Sequence, residues 1–285
     1  MNGTSEKFID LHTHSTCSDG SMTPSELVRH AAGAGLAAFA LTDHDTIRGV
    51  GEAAEEAARL GIEFVPGIEL SARFKNTMHI LGFYIDRTPQ KLAEVTTALR
   101  DSRVERNLKM IENLRAEGFD LTPSDVLAEA SGGSASRAHI AAALFHKGYG
   151  KSIRDAFDRF VSDSSPAYVR RTVPSPAECI ELIHSAGGAA FLAHPHQIRL
   201  DDEELDATVK TLRENGLDGM ECIYTGFTDA DINKYSALAD KYGLKKSGGT
   251  DFHGTLKPDI EIGTGFGGTR VPYSLLDGIK EAARR

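Results

Sequence analysis

Six of the chain's 11 histidines fall in short polar clusters that follow, or open, apolar runs. His12 and His14 stand two apart after Phe8-Ile9-Asp10-Leu11, a spacing that puts both imidazoles on one face of an extended chain as a ready chelate. Ser18-Asp19-Gly20 follows, with a turn composition able to bring the Asp19 carboxylate back over the same strand end. The other clusters are Thr42-Asp43-His44-Asp45, Gly67-Ile68-Glu69, Met78-His79, His194-Pro195 and Gly249-Thr250-Asp251-Phe252-His253. Taken singly, an H-x-H or Asp-His pair is as often structural as functional. Brought together, half-satisfied imidazoles and carboxylates are costly to bury unless they coordinate cations, so the joint pattern predicts a metal site. No G-x-S-x-G or P-loop sequence offers a rival chemistry.

The elements that must carry these clusters read as a parallel α/β layout. Strands are predicted at Phe8 to Leu11, Ala37 to Leu41, Glu63 to Pro66, His79 to Tyr84, Ala189 to Ala193, Gly219 to Tyr224 and Lys245 to Gly248. Helical spacing covers Pro24 to Gly33, Gly49 to Leu60, Ala177 to Ala186, Asp202 to Glu214, Asp229 to Tyr242 and Ser274 to Ala283. Seven or eight strands with intervening helices suit a barrel better than an open sheet, although periodicity alone does not decide between them; in a barrel the strand C-termini converge on one crevice. Between 98 and 173 the pattern is helical, without a buried strand. That segment has 12 Lys+Arg against 10 Asp+Glu, net +2, while the rest of the chain carries −11. The division expected is therefore a discontinuous barrel, 1–97 and 174–285, interrupted by a helical insertion at 98–173 on the catalytic face.

The whole chain has 285 residues and net charge −9, which argues against loose binding of long duplex nucleic acid through many phosphate contacts. No apolar run reaches the roughly 20 residues of a membrane span, and Met1 to Lys7 is too polar for a signal peptide. With three scattered cysteines, Cys17, Cys179 and Cys222, the expectation is a cytoplasmic protein with no membrane partner.

The motifs together resemble the polymerase and histidinol phosphatase (PHP) phosphoesterases: D-L-H-x-H-S with S-D-G, T-D-H-D, the His194-Pro195 pair and G-T-D-F-H, with Glu69 and His79 also matching. The resemblance implies a distorted (β/α)7 barrel with a helical insertion, and three divalent metals per chain. By that resemblance His12, His14, Glu69 and Asp251 hold the first ion, Glu69 bridges to a second that also takes His79 and His194, and Asp19, His44 and His253 hold the third. An imidazole-rich set with three carboxylates fits Mn, Zn or Fe rather than a Mg site built from oxygen, and softness does not choose among the three; Mn is the foremost expectation, with Zn or Fe as alternatives. Asp43 is expected just outside the ligands, orienting an imidazole; it reads nearly as well as a carboxylate at a helix N-terminus.

A metal-bridging water, as hydroxide, is the expected nucleophile. Ser134 to Ala141 resembles the family's S-x-T-R-P-H-I-A segment, which implies phosphate contacts from Ser136, Arg137 and His139. The same stretch also reads as an ordinary helix start, and a helix N-terminus itself favours an anion. Tyr168, Arg170 and Arg199 are weaker substrate candidates; an exposed surface reading suits them equally. The substrate implied is a small phosphorylated nucleotide, foremost a 3′,5′-bisphosphate. Alternatives are 5′-to-3′ exonuclease action on short RNA, histidinol phosphate hydrolysis, or a PHP module without catalysis.

Overall fold

The structure is a computed structural model that describes residues 6–86, 89–130 and 135–284. Ser134, part of the predicted phosphate-contact segment, lies outside the described residues. The chain opens with β1 (Phe8–Asp10), α1 (Pro24–Gly33), β2 (Ala38–Leu41), α2 (Val50–Leu60), β3 (Glu63–Ala72) and β4 (Met78–Phe83). α1 starts as its sequence dictates: Thr23 accepts from the Glu26 amide, the Glu26 carboxylate accepts from the Thr23 amide, and Pro24 occupies the first turn. β1, β2 and β3 are parallel, with Ile9 opposite Ala38 and Ala38 opposite Glu63.

Two expectations change here. β3 does not end at Pro66 but runs on to Ala72, so Glu69 lies inside a strand. Pro-Gly is a break signal in sequence; in the fold, a Cβ on Gly67 would come within 2.9 Å of the Gly82 and Leu41 carbonyl oxygens, so glycine serves close strand approach. β4 is not parallel either. It folds back on β3 as a hairpin, Glu69 opposite Leu81, and its first residues therefore lie at the same end as the other strands' last ones. That reversal is what lets His79, at the start of a strand, join clusters at strand ends.

A 27-residue helix, α3 (Gln90–Ala116), leads into α4 (Pro123–Glu129), α5 (Arg137–His146) and α6 (Ile153–Ala156), which runs into a π-helical turn at Phe157–Val161. Position 98 falls inside α3. Its first half buries Leu92 and Leu99 against Ile180 and Ile183 of the barrel shell, whereas Met110, Ile111 and Leu114 pack with Val126, Ile140 and Leu144 of the insertion. The chain then continues through α7 (Pro176–Ser185), β5 (Ala189–Leu192), α8 (Asp202–Glu214), β6 (Gly219–Tyr224), α9 (Asp229–Lys241), β7 (Lys245–Gly249), β8 (Val271–Pro272) and α10 (Leu275–Ala282).

The strand order is β7-β6-β5-β4-β3-β2-β1-β8, with β5 antiparallel to β4, and β5, β6 and β7 parallel to one another. The sheet nearly closes into a barrel: the Leu11 amide donates to Gly248 O, and beyond the strands Thr13 and Phe252 form a parallel bridge. Ile9, Val65, Leu81, Phe83 and Phe191 make a dry interior cluster that continues onto Leu276 and Ile279 of α10. Each such side chain contributes roughly 1.5–3 kcal/mol by burial. Among the described residues no helix is long and apolar enough to cross a membrane.

Candidate metal centre

Backbone pairing carries the polar clusters to one place. Beyond β2 and within β3, Asp45 N donates to Glu69 O and Glu69 N to Asp43 O, which sets His44 beside Glu69. Ala193 N donates to His79 O, bringing His194 to His79, and His14 N donates to Phe252 O, bringing the Asp251–His253 segment to His14. Asp19 returns on a tight turn in which Gly20 N donates to Ser15 O; a Cβ on Gly20 would meet His14 O at 2.0 Å, so no side chain fits there.

Glu69 is the hub. Its Oε1 lies 2.7 Å from His79 Nδ1 and 2.9 Å from His194 Nε2, and its Oε2 lies 2.9 Å from His44 Nδ1 and 3.3 Å from both His12 Nε2 and His14 Nε2. Asp251 Oδ1 stands 3.2 Å from His14 Nε2 and 3.6 Å from His12 Nε2, and Asp19 Oδ1 3.4 Å from His253 Nε2. Two donors about 2.1 Å from one cation stand about 3.4 Å apart at a tetrahedral angle. The five separations of 3.2–3.6 Å match that spacing, while the 2.7–2.9 Å ones at Glu69 are hydrogen-bond distances.

The nine side chains named from sequence form four overlapping groups able to hold a cation: His14, Asp19, His44, His253; His12, His14, Asp251; His12, Glu69, His194; and His44, Glu69, His79. His12, His14, His44 and Glu69 thus each reach two groups, a more shared arrangement than the ligand sets expected, in which Glu69 alone bridges. Buried atoms without hydrogen-bond partners concentrate here: His12 Nε2, both ring nitrogens of His14, Asp19 Oδ1, His44 Nδ1, Glu69 Oε2 and His194 Nδ1. Orphaned buried groups are costly, and a donor set of imidazole nitrogens and carboxylate oxygens is what a divalent transition cation takes. The residues fit such ions. His194 and Asp251 also hold left-handed backbone, φ 23° and 57°, strain of the kind that clusters at functional sites.

Electrostatics favour ligand roles at Glu69 and His14 but not at every imidazole: burial lowers His12, yet Glu69, Glu221 and Asp251 outweigh it and raise His12 well above its ordinary value, toward a proton that a cation must displace. Burial would raise the Glu69 carboxyl, but the imidazoles of His44, His79 and His12 outweigh it and keep it well below its usual range. Burial, reinforced by the imidazoles of His253 and His44, holds His14 well below its ordinary pKa and therefore neutral, the form a cation requires.

Around the nine stands a supporting layer, much of it unseen in sequence. Glu221, mid-strand in β6, accepts from the His194 amide at 2.6 Å and lies 3.1 Å from His12 Nδ1, turning Nε2 inward. Its only sequence signal is a carboxylate in an apolar strand. Tyr224 and Lys257 both donate to Asp251 Oδ2 at 2.6 Å, leaving Oδ1 facing the histidines. Asp10 accepts from the Thr250 amide and hydroxyl and from Gly263 N, fixing the turn that presents Asp251. Asp43 does not steer an imidazole as expected. Its oxygens accept from Ser15 N, Ser15 Oγ and Ser18 Oγ, so it holds the loop that delivers Asp19. Against those three bonds, burial still pushes its pKa up to about 6.

The insertion overhangs this centre. Thr77, in the β3–β4 loop, donates to Asp163, and α5 packs on the 3-10 turn Gly254–Leu256 after His253. Ser136 caps α5 and is buried, with its Oγ accepting from Ala138 N; His139 Nδ1 accepts from Ser136 N, and the His139 ring lies within electrostatic reach of Asp19 and His253. Arg137 is already engaged: it pairs with Asp163 and lies over the rings of Phe157 and Tyr168. Arg170 and Arg199 are exposed, and neither is brought to the nine. Instead Arg171, with Arg103, reaches Asp45 beside His44, at 2.5 Å each.

The sequence model of the PHP domain matches residues 10–163. A 3′,5′-nucleoside bisphosphate phosphatase of Chromobacterium violaceum is 34% identical over 257 residues, 90% of both chains. A 5′-3′ exoribonuclease of Haemophilus influenzae is 33% identical over 248 residues, 87% of this chain and 90% of that one. A solved structure of an amidohydrolase from Chromobacterium violaceum, with bound sulfate and no metal, superposes with TM-score 0.86 at 32% identity, covering 95% of this chain and 96% of that one.

Proposed function

The chain belongs to the PHP family of metal-dependent phosphoesterases and is a phosphate-ester hydrolase; from that premise we propose that it converts a nucleoside 3′,5′-bisphosphate to the 5′-monophosphate and inorganic phosphate. The observation that carries the choice of a small substrate is the roof. The insertion touches the rim on both sides of the centre, through Thr77–Asp163 and through α5 on Gly254–Leu256, which suits a compact nucleotide better than a running strand. The relative named as a bisphosphate phosphatase supports a phosphorylated ligand of that size.

We assign His12, His14, Glu69 and Asp251 to one ion, Glu69 with His79 and His194 to a second, and Asp19, His44 and His253 to a third, with Mn foremost and Zn or Fe as alternatives. Bound there, such cations supply a nucleophilic water near neutral pH and offset charge on the phosphate. Glu221 and Asp251's partners hold the ligand nitrogens and oxygens inward so that no rearrangement accompanies binding. His44 and His79, the two partly exposed ligands, mark where the ester enters. Ser136 and His139 stand over the Asp19 side, where a hydroxyl and an Nε2–H can donate to the leaving phosphate. The three free cysteines fit the reducing cytoplasm in which we place the protein.

The second reading is exonuclease action on short RNA, favoured by the Haemophilus relative. Phosphate release with Mn is measured on 3′,5′-bisphosphates, mononucleotides, histidinol phosphate and a 5′-phosphorylated oligoribonucleotide. The bisphosphate is expected to have the highest kcat/KM; faster consumption of the oligonucleotide replaces this reading with the second.

A further inference from the structure

Where the insertion meets the rim, it buries more positive charge than the chain neutralises. Arg103 and Arg106 on α3, Arg137 opening α5, and Arg171 on the irregular segment before α7 stand within electrostatic reach of one another. Two carboxylates serve three of them: Asp45 takes Arg103 and Arg171, and Asp163 takes Arg137. Arg106 has neither. It is 8% exposed, its Nε is buried without a hydrogen-bond partner, and among the described residues it forms no ion pair. An unpaired buried guanidinium is among the costliest groups a fold can keep. Burial, with the charges of Arg137, Arg103 and Arg171, drives its pKa well below the usual value.

The group also lies beside the reacting centre. Arg103's charge acts on both His44 and His139, and Asp163, the partner of Arg137, is within reach of His79.

We propose that Arg106 binds the substrate phosphate that is not hydrolysed, where the family resemblance points to Arg137 as a phosphate contact. This rests on the bisphosphate reading above. A planar guanidinium takes two phosphate oxygens at once, and Arg103 and Arg171 add field although Asp45 holds them. The phosphate supplies the counter-charge that the chain omits. Because that group is bound alike before and during reaction at the other phosphate, the contact acts on KM more than on kcat.

Metal-loaded wild type and Arg106→Met are compared on adenosine 3′,5′-bisphosphate and adenosine 3′-monophosphate. The variant is expected to lose kcat/KM on the bisphosphate about 10- to 100-fold more than on the monophosphate, chiefly through KM. Equal losses on both substrates overturn the proposal. Thermal melting separates a binding role from a structural one. Removing an unpaired buried charge should leave Tm unchanged or higher, and adenosine 5′-monophosphate should raise the Tm of wild type but not of Arg106→Met; a lower Tm without ligand, or an equal rise in both, also overturns it. If wild type instead prefers RNA, the bisphosphate reading fails, yet 5′-phosphorylated and 5′-hydroxyl oligonucleotides still decide Arg106. The variant should then lose the preference for the phosphorylated end, and keeping it counts against Arg106.

Discussion

The barrel rim and the insertion above it handle buried charge in opposite ways. At the rim, Glu69, Asp19 and Asp251 sit among six imidazoles with seven ring or carboxylate atoms unpartnered, an arrangement completed by cations. In the insertion, four clustered arginines share two carboxylates, an arrangement completed by an anion. The regions also differ in how they aim their groups. Rim residues are set by strand register, in which a one-residue slip would reverse every side chain, whereas three of the four arginines reach in on long stems from helices and Arg171 from an irregular segment. Asp45 joins the two: it follows His44 in sequence and is held at φ 53° by Ser71 on one side and Arg103 and Arg171 on the other. A phosphate ester carries negative charge toward cations at one end and guanidinium at the other.

Breaking the rim should have the largest effect. Asp251→Asn removes a carboxylate shared by His12 and His14 and is expected to lower phosphate release about a thousandfold or more, with the circular dichroism spectrum intact. Retained turnover would detach the rim from catalysis. Breaking the joint comes next. Asp45→Asn strands Arg103 and Arg171 and is expected to cost about 3 kcal/mol at pH 7 by denaturant unfolding. Burial would raise the Asp45 carboxyl, but Arg171 and Arg103 outweigh it and hold it below its ordinary value of 3.8. A depressed folded pKa means the stabilisation is complete above about pH 4 and is lost as pH falls through the folded value. Wild type and variant should therefore converge in stability in acid, and a gap that persists or widens there contradicts the pairing. The smallest expected effect belongs to support rather than ligation. Glu221→Gln keeps one acceptor where two are used, and should weaken Mn affinity about 10-fold, with activity recovered at higher Mn; unchanged affinity would remove Glu221 from that role.

The rim was readable in sequence because its ligands lie within a few residues of strand ends, so spacing and strand prediction together bring His12, His14, His44 and Glu69 to one crevice. The alternation of strands and helices followed from the same periodicity, and the barrel from the family resemblance. What escaped depends on partners far along the chain. The reversal of β4 is set by the hairpin with β3, and Pro66-Gly67 reads as a stop until the Gly82 and Leu41 carbonyls are seen to crowd Gly67. Glu221 looks like a stray carboxylate until His12, 209 positions away, is found beside it. Arg137 stood out through its motif, yet Asp163, Phe157 and Tyr168 already engage it; Arg106, without a motif, is the one of the four clustered arginines left without an ion pair. α3 hid the boundary at 98 because one helix serves both regions.

The central claim is that the nine rim side chains form a cation centre that hydrolyses phosphate esters. It is tested most directly by stripping the protein with chelator and titrating Mn back while recording bound metal and phosphate release from adenosine 3′,5′-bisphosphate. The account predicts that release vanishes on stripping and returns in step with more than one ion bound per chain, and that Glu69→Gln neither binds the full complement nor recovers. Undiminished release from protein shown to be free of metal would contradict it.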